Sequence, residues 1–253
     1  MHAWLLLFSI VVTRFVNVGQ PHINAHAHND YEHDRPLFEA LENGFVSIEA
    51  DVHLVNGKIL VAHDHPTSRS KTLEDLYLRP LDSIARINGG KIYPQKDITV
   101  MLMIDIKTDG TETFRALHQL LSKHTGAANH KVFRVFISGN RAIELIRNDP
   151  QRLSSIDGRP EDIGKGFTEE EMPVISENYR KIISWNGKGS PAKEDFNKLT
   201  ELASKVHAEN KKLRLWGIPD HENAWNVLLQ AGVDLINTDR LKELNLFLTT
   251  KKL

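Results

Sequence analysis

The chain contains no cysteine. Disulfides, thiolate metal sites and a cysteine nucleophile are therefore excluded, and the redox compartment is left open. Net charge is also nearly absent, at −1 from 32 basic and 33 acidic residues. Such a balance gives no general electrostatic case for a nucleic acid partner or an anionic membrane surface. No G-x-G-x-x-G follows the first apolar run, which argues against an open dinucleotide-binding sheet. Internal repeats and low-complexity tracts are missing too. Long apolar stretches are scarce. Trp4 to Val12 is a nine-residue run broken only by Ser9, whereas a spanning helix needs roughly 20 apolar residues. No stable membrane span is expected.

That run does match the apolar core of a secretory signal peptide, although no A-x-A pattern follows it. Residues 1–20 are read as a signal or export segment. This would make the protein secreted or periplasmic; without it the protein would be cytoplasmic. Residues 21–253 form one domain, since composition shows no break.

What remains is globular, with 40% hydrophobic and 26% charged residues. Short β-type runs alternate with helical stretches. The strands are expected at Ile23–Ala27, Val46–Leu54, Ile59–Ala62, Ile98–Ile106, Val132–Ser138, Arg152–Ile156, Lys181–Trp185, Leu213–Ile218 and Val233–Thr238. Several are apolar throughout, as strands of a buried parallel sheet are. Helices are expected between them, including Leu37–Asn43, Glu112–His124, Glu169–Tyr179 and Glu194–Asn210. Thr72-x-x-Asp75 resembles a capping box. Nine strand candidates, two of them joined as a hairpin around Asn56-Gly57, predict an α/β fold of the (β/α)8 TIM-barrel type, whose usual size is ~250 residues. The long segment Asp64–Asp97 is read as holding its own small helices over the site.

A barrel of this kind carries its site at the C-terminal ends of the strands. Polar residues appear where the apolar runs stop. Six of the 13 histidines fall between His26 and His65, where an even scatter would put about two. Glu49 and Asp51 are two apart on a strand, so they share a face. Two adjacent carboxylates repel unless a cation or proton lies between them. Asp105 adds a third oxygen donor, and an all-carboxylate set suits one divalent cation, Mg²⁺ or Ca²⁺. Lys107, two residues on, is placed to hold an anionic substrate.

These residues resemble the glycerophosphodiester phosphodiesterase family and its relatives among phosphatidylinositol-specific phospholipases C and spider sphingomyelinases D. Ala25-His26 stands where the family has A-H-R-G. Gly44-Phe45-Val46-Ser47-Ile48-Glu49-Ala50-Asp51-Val52 is similar to its G-x-x-x-I-E-x-D-V, and His63-Asp64 to its H-D. Leu213 to Ile218, with Trp216, and Gly232 to Asp239 are similar to its closing strands. The resemblance implies a PLC-like phosphodiesterase barrel and a phosphoric diester hydrolase of lipid metabolism. It acts on a small-molecule or lipid-derived phosphodiester, with the metal on Glu49, Asp51 and Asp105. His26 is implied as base or nucleophile and His63 as acid. His26 is preferred to His28 because Ala25-His26 fits the family spacing. His28, Lys107 and Trp216 are assigned to the substrate. The family's arginine is Ala27 here, so Lys107 or Arg35 is expected to replace it on the phosphate. Direct hydrolysis and a cyclic product both remain open. Two other readings stand beside this one. His26-x-His28 also opens amidohydrolase and PHP-type metal hydrolases, and a non-catalytic barrel could bind phospholipid head groups or glycans.

Overall fold

The computed structural model describes residues 17–124, 126 and 129–251. All but the last few residues of the expected export segment lie outside them. Eight parallel strands close into a barrel: β1 (His22–Ala27), β2 (Phe45–Val55), β4 (Val100–Ile106), β5 (Phe133–Gly139), β6 (Ser155–Gly158), β7 (Val174–Asn178), β8 (Lys212–Trp216) and β9 (Leu235–Thr238). Each bonds to the next, and β1 pairs with both β2 and β9. Between successive strands run α1 (Phe38–Glu42), α2 (Arg79–Ile87), α3 (Gly110–Leu121), α4 (Ile143–Arg147), α5 (Tyr179–Ile182), α6 (Lys193–His207) and α7 (Glu222–Gln230), and α8 (Leu241–Thr250) follows the last strand. Among the described residues no helix is long and apolar enough to cross a membrane.

The ninth strand, β3 (Lys58–Val61), runs antiparallel to β2. It takes the edge of β2 that β1 leaves at Ile48, while β4 occupies the other edge. The turn is Asn56-Gly57, with φ of +49° and +74°. Two consecutive positive φ values define the type I′ turn that suits a tight hairpin, and Asn-Gly is its preferred pair.

Side-chain alternation divides the interior in two. Outward positions such as Val46, Ile48, Ala50 and Val52 join the large apolar cluster beneath the helices. Met101, Met103, Phe136, Val174 and Leu235 form a second, smaller cluster. Their alternate positions put them inside the barrel. Ser47 and Glu49 on β2 stand beside Met101 and Met103 in register, and one step further along the strands the inward positions are polar: Asp51 on β2, Asp105 on β4 and Ser138 on β5.

Two expected elements fall elsewhere. The strand expected at Lys181–Trp185 is α5 and its exit, and β7 lies inside the helix expected at Glu169–Tyr179. Pro173 explains this, because a proline lacks the amide that a helix interior needs and disfavours helical backbone before it. Strand β6 starts three residues later than expected and runs on to Gly158. Thr72 behaves as read: its Oγ accepts from the Asp75 amide at 3.1 Å and donates to the Asp75 carboxylate at 2.7 Å.

Candidate active site

The two-residue period of β2 puts Glu49 and Asp51 on the barrel's inner face, and the register sets Asp105 opposite Asp51. Glu49, Asp51 and Asp105 each offer an oxygen within 4.8 Å of the others. Their surroundings differ. Glu49 Oε2 accepts from Arg214 Nη2 at 2.8 Å and from His26 Nε2 at 3.1 Å. Burial opposes its charge, but the Arg214 guanidinium and His26 outweigh that and hold its pKa at about 2. Asp51 Oδ2 accepts from the Tyr31 hydroxyl at 2.9 Å and lies 3.0 Å from both His63 Nδ1 and Lys107 Nζ. Asp51 Oδ1 is buried and has no partner among the described residues. Asp105 is pushed up to about 6 by burial, against which the Lys107 charge, 3.3 Å away, acts only in part.

Arg214 and Lys107 meet part of the charge of the three converging carboxylates, and the unpaired Asp51 Oδ1 leaves a buried oxygen still to be met. All the donors are hard oxygens, which suits Mg²⁺ or Ca²⁺ better than zinc. The residues present thus fit a divalent cation. Gly139 makes room for Asp105: its φ is +67°, and a Cβ there would lie 2.2 Å from Asp105 Oδ1.

The histidines separate clearly. His26 is fully buried, with Nδ1 2.7 Å from Ser47 Oγ and Nε2 on Glu49. Burial and then the Arg214 charge lower its pKa to about 4, so it is neutral at pH 7. Both ring nitrogens are engaged, and His26 does not line the cavity at the barrel mouth. His28 does line it. Its Nδ1 lies 2.7 Å from Asp239 Oδ1, which leaves Nε2 free. Burial opposes its protonation, but the Asp239 hydrogen bond and the charges of Glu49 and Asp239 prevail and raise its pKa. His63 enters from the end of β3, with Nδ1 on Asp51 Oδ2 and about half of its side chain exposed. The preference for His26 over His28 therefore does not survive the geometry.

The cavity encloses about 240 Å³. Glu49, Asp51, Asp105, His28, His63, Lys107 and Trp216 line it, so the structure gathers every expected site residue except His26. Asn29, Ser138, Arg159 and Arg214 complete the wall. Arg35 does not reach it; its guanidinium is paired with Glu42 on α1. None of the described residues 64–97 lines the cavity, so that segment does not cover the site. Its Tyr77 instead donates to the buried Asp30 at 2.9 Å.

The family model described as an AIM6-like phosphodiesterase domain matches residues 15–126, and that of the glycerophosphoryl diester phosphodiesterase family matches residues 212–242. Over these two stretches the chain is similar to AIM6-like and glycerophosphoryl diester phosphodiesterases. Altered inheritance of mitochondria protein 6 of Eremothecium gossypii is 29% identical, over 88% of this chain and 68% of that one. A homologue of that protein in Arthroderma benhamiae is 26% identical, over 86% and 81%. The fold is shared with the crystal structure of a glycerophosphodiester phosphodiesterase from Parabacteroides distasonis, at a TM-score of 0.58 and 17% identity, over 93% of this chain and all of the other. A second, from Agrobacterium tumefaciens, gives 0.51 and 12%.

Asn29, which follows the cavity-lining His28, adopts a left-handed backbone with φ of +44°. Arg214, Arg159, Ser138 and Tyr31 were not singled out from sequence. The two-residue rule that revealed Glu49-x-Asp51 would have reached Arg214-x-Trp216 on β8 and Asp157-x-Arg159 at the exit of β6.

Proposed function

We propose that the chain is a metal-dependent phosphodiesterase that cleaves a glycerophosphodiester or phospholipid head group by paired histidine acid–base catalysis. The observation that carries this reading is the carboxylate trio, with Asp51 Oδ1 unpaired, flanked by two histidines that are each oriented through Nδ1 by a carboxylate. Glu49, Asp51 and Asp105 would hold the cation, which would draw charge from the non-bridging phosphate oxygens. Lys107 adds a fixed positive charge beside them.

The hydrogen bond to Asp239 sets the tautomer of His28, with the proton on Nδ1 and a lone pair on Nε2. His28 takes the proton of the attacking hydroxyl. His63, held by Asp51, gives its proton to the leaving alkoxide. His26 keeps Glu49 oriented from below. The amidohydrolase or PHP-type reading loses support, because the metal-ligand cluster among the described residues holds no histidine and His26 spends both nitrogens on Ser47 and Glu49.

The test is hydrolysis of bis(p-nitrophenyl) phosphate with added Mg²⁺ or Ca²⁺. His63→Ala and Glu49→Gln are each expected to lower kcat about a hundredfold or more. Chelation should abolish the wild-type rate. Equal rates for wild type and both variants would remove the mechanism.

A further inference from the structure

Three cations line the cavity, and they are not equivalent. Lys107 lies between Asp51 and Asp105, and Arg214 is bonded to Glu49; these acids line the cavity too. Arg159 is different: its acidic partner, Asp157, is fully buried and lies outside the lining. Ser138 and Ser176 donate to the two oxygens of Asp157 at 2.8 and 2.6 Å. Asp157 Oδ2 also accepts from Arg159 Nη1 at 2.8 Å, as does the Gly158 carbonyl.

The guanidinium is thus fixed along its Nη1 edge. Its other edge, Nε and Nη2, carries only a 3.3 Å contact to Ser138 Oγ among the described residues. That edge is a fork of parallel N–H donors, the geometry that takes a carboxylate or phosphate in two hydrogen bonds. β6, which leads directly into Arg159, stands four strands from β1 in either direction around the barrel and two from β4, whose Asp105 is in register with the Ser138 that Arg159 touches. The histidines and the carboxylate trio belong to β1, β2, β3 and β4 and the residues that follow them.

We infer that Arg159 is a specificity residue that binds a second anionic group, carried on one of the two alcohols of the phosphodiester substrate, on the β6 side of the mouth. This rests on the phosphodiesterase reading and extends it to a substrate class: diesters with an alcohol bearing an extra carboxylate or phosphate.

The experiment compares the glycerophosphate diesters of propanol and of 3-hydroxypropionate, which differ by a methyl group against a carboxylate. Hydrolysis is followed by phosphorus NMR with Mg²⁺ present, for wild type and Arg159→Met. The wild-type kcat/KM is expected to favour the carboxylate diester about tenfold or more, as a charge-assisted pair would give. In Arg159→Met that preference should vanish, while the propyl diester changes by no more than about threefold. A wild type without preference overturns the inference, with no variant needed. So does a variant that lowers both substrates equally, which would put Arg159 on the reacting phosphate. A wild type that cleaves neither diester defeats the phosphodiesterase reading instead. Calorimetric titration with the two uncleaved compounds then decides the role of Arg159: about tenfold tighter binding of the carboxylate diester supports it, and equal binding overturns it.

Discussion

The two halves of the barrel mouth are built differently. On the side of β9, β1, β2 and β4, acids and bases are interleaved: Asp239 with His28, His63 with Asp51, Lys107 between two carboxylates. On the side from β5 to β7, one buried acid, Asp157, is saturated by two serines and an arginine, and no histidine lines the wall. The first half concentrates groups whose protons and charges are only partly satisfied. The second is satisfied internally and offers a fixed cation. On the proposed reading, chemistry belongs to the unsatisfied half, and selection of what enters belongs to the other.

Breaking the unsatisfied half should cost most. Asp51→Asn removes a metal oxygen and the anchor of both His63 and Lys107, so kcat is expected to fall about a thousandfold. Steady-state kinetics on any cleaved diester checks this; a loss below tenfold would mean that the carboxylates do not carry the reaction.

Next in size is the contrast between His26 on β1 and His28 just beyond it. His28→Ala should lower kcat about a hundredfold or more with little change in melting temperature. His26→Gln should chiefly lower stability, because it disturbs a buried pair with Glu49. A pH series sharpens this. The pKa of His26 lies near 4 in the folded protein, against 6.5 for an exposed ring. As pH falls through that interval the unfolded chain gains a proton that the folded chain refuses, so stability is lost on acidification, by about 3 kcal/mol in full. Between pH 6.5 and 4.5, above the range where Glu49 is protonated, denaturant unfolding should show the wild type losing more stability than His26→Gln. Parallel curves would mean that His26 is not buried neutral.

The smallest effect concerns the rim. Trp216, 39% exposed, touches the cavity without binding an acid or base. Trp216→Ala should raise KM about fivefold, as loss of one aromatic contact would, and leave kcat within about twofold. A large kcat loss would place it among the reacting groups.

The same contrast explains what could be read from the chain. Glu49, Asp51, Asp105 and Lys107 were legible because a two-residue period inside apolar runs forces polar side chains to one face of a buried strand. The barrel itself was legible because strand and helix alternate. His26 against His28 was not settled, because both share that period and only burial separates them. Arg159 was hidden because β6 was expected to end at Ile156, which left Asp157 and the residues after it unassigned. The strand at Val174 was missed because the stretch around it was read as helical despite Pro173. Arg214 was passed over as part of a closing strand, since nothing local marks a partner 165 positions away.

In the hairpin of β2 and β3, one ribbon delivers two of the three carboxylates and the proposed general acid. His63 arrives through a ladder that pairs Val52 with Val61 and Val55 with Lys58. The spacing between acid and carboxylate is therefore gauged by the two-residue loop at its tip. One residue inserted there would slide β3 by a single step, and the imidazole would swing to the opposite side of the ribbon. If His63 is the acid, the length of the Asn56-Gly57 tip is a requirement of the reaction as well as of the fold.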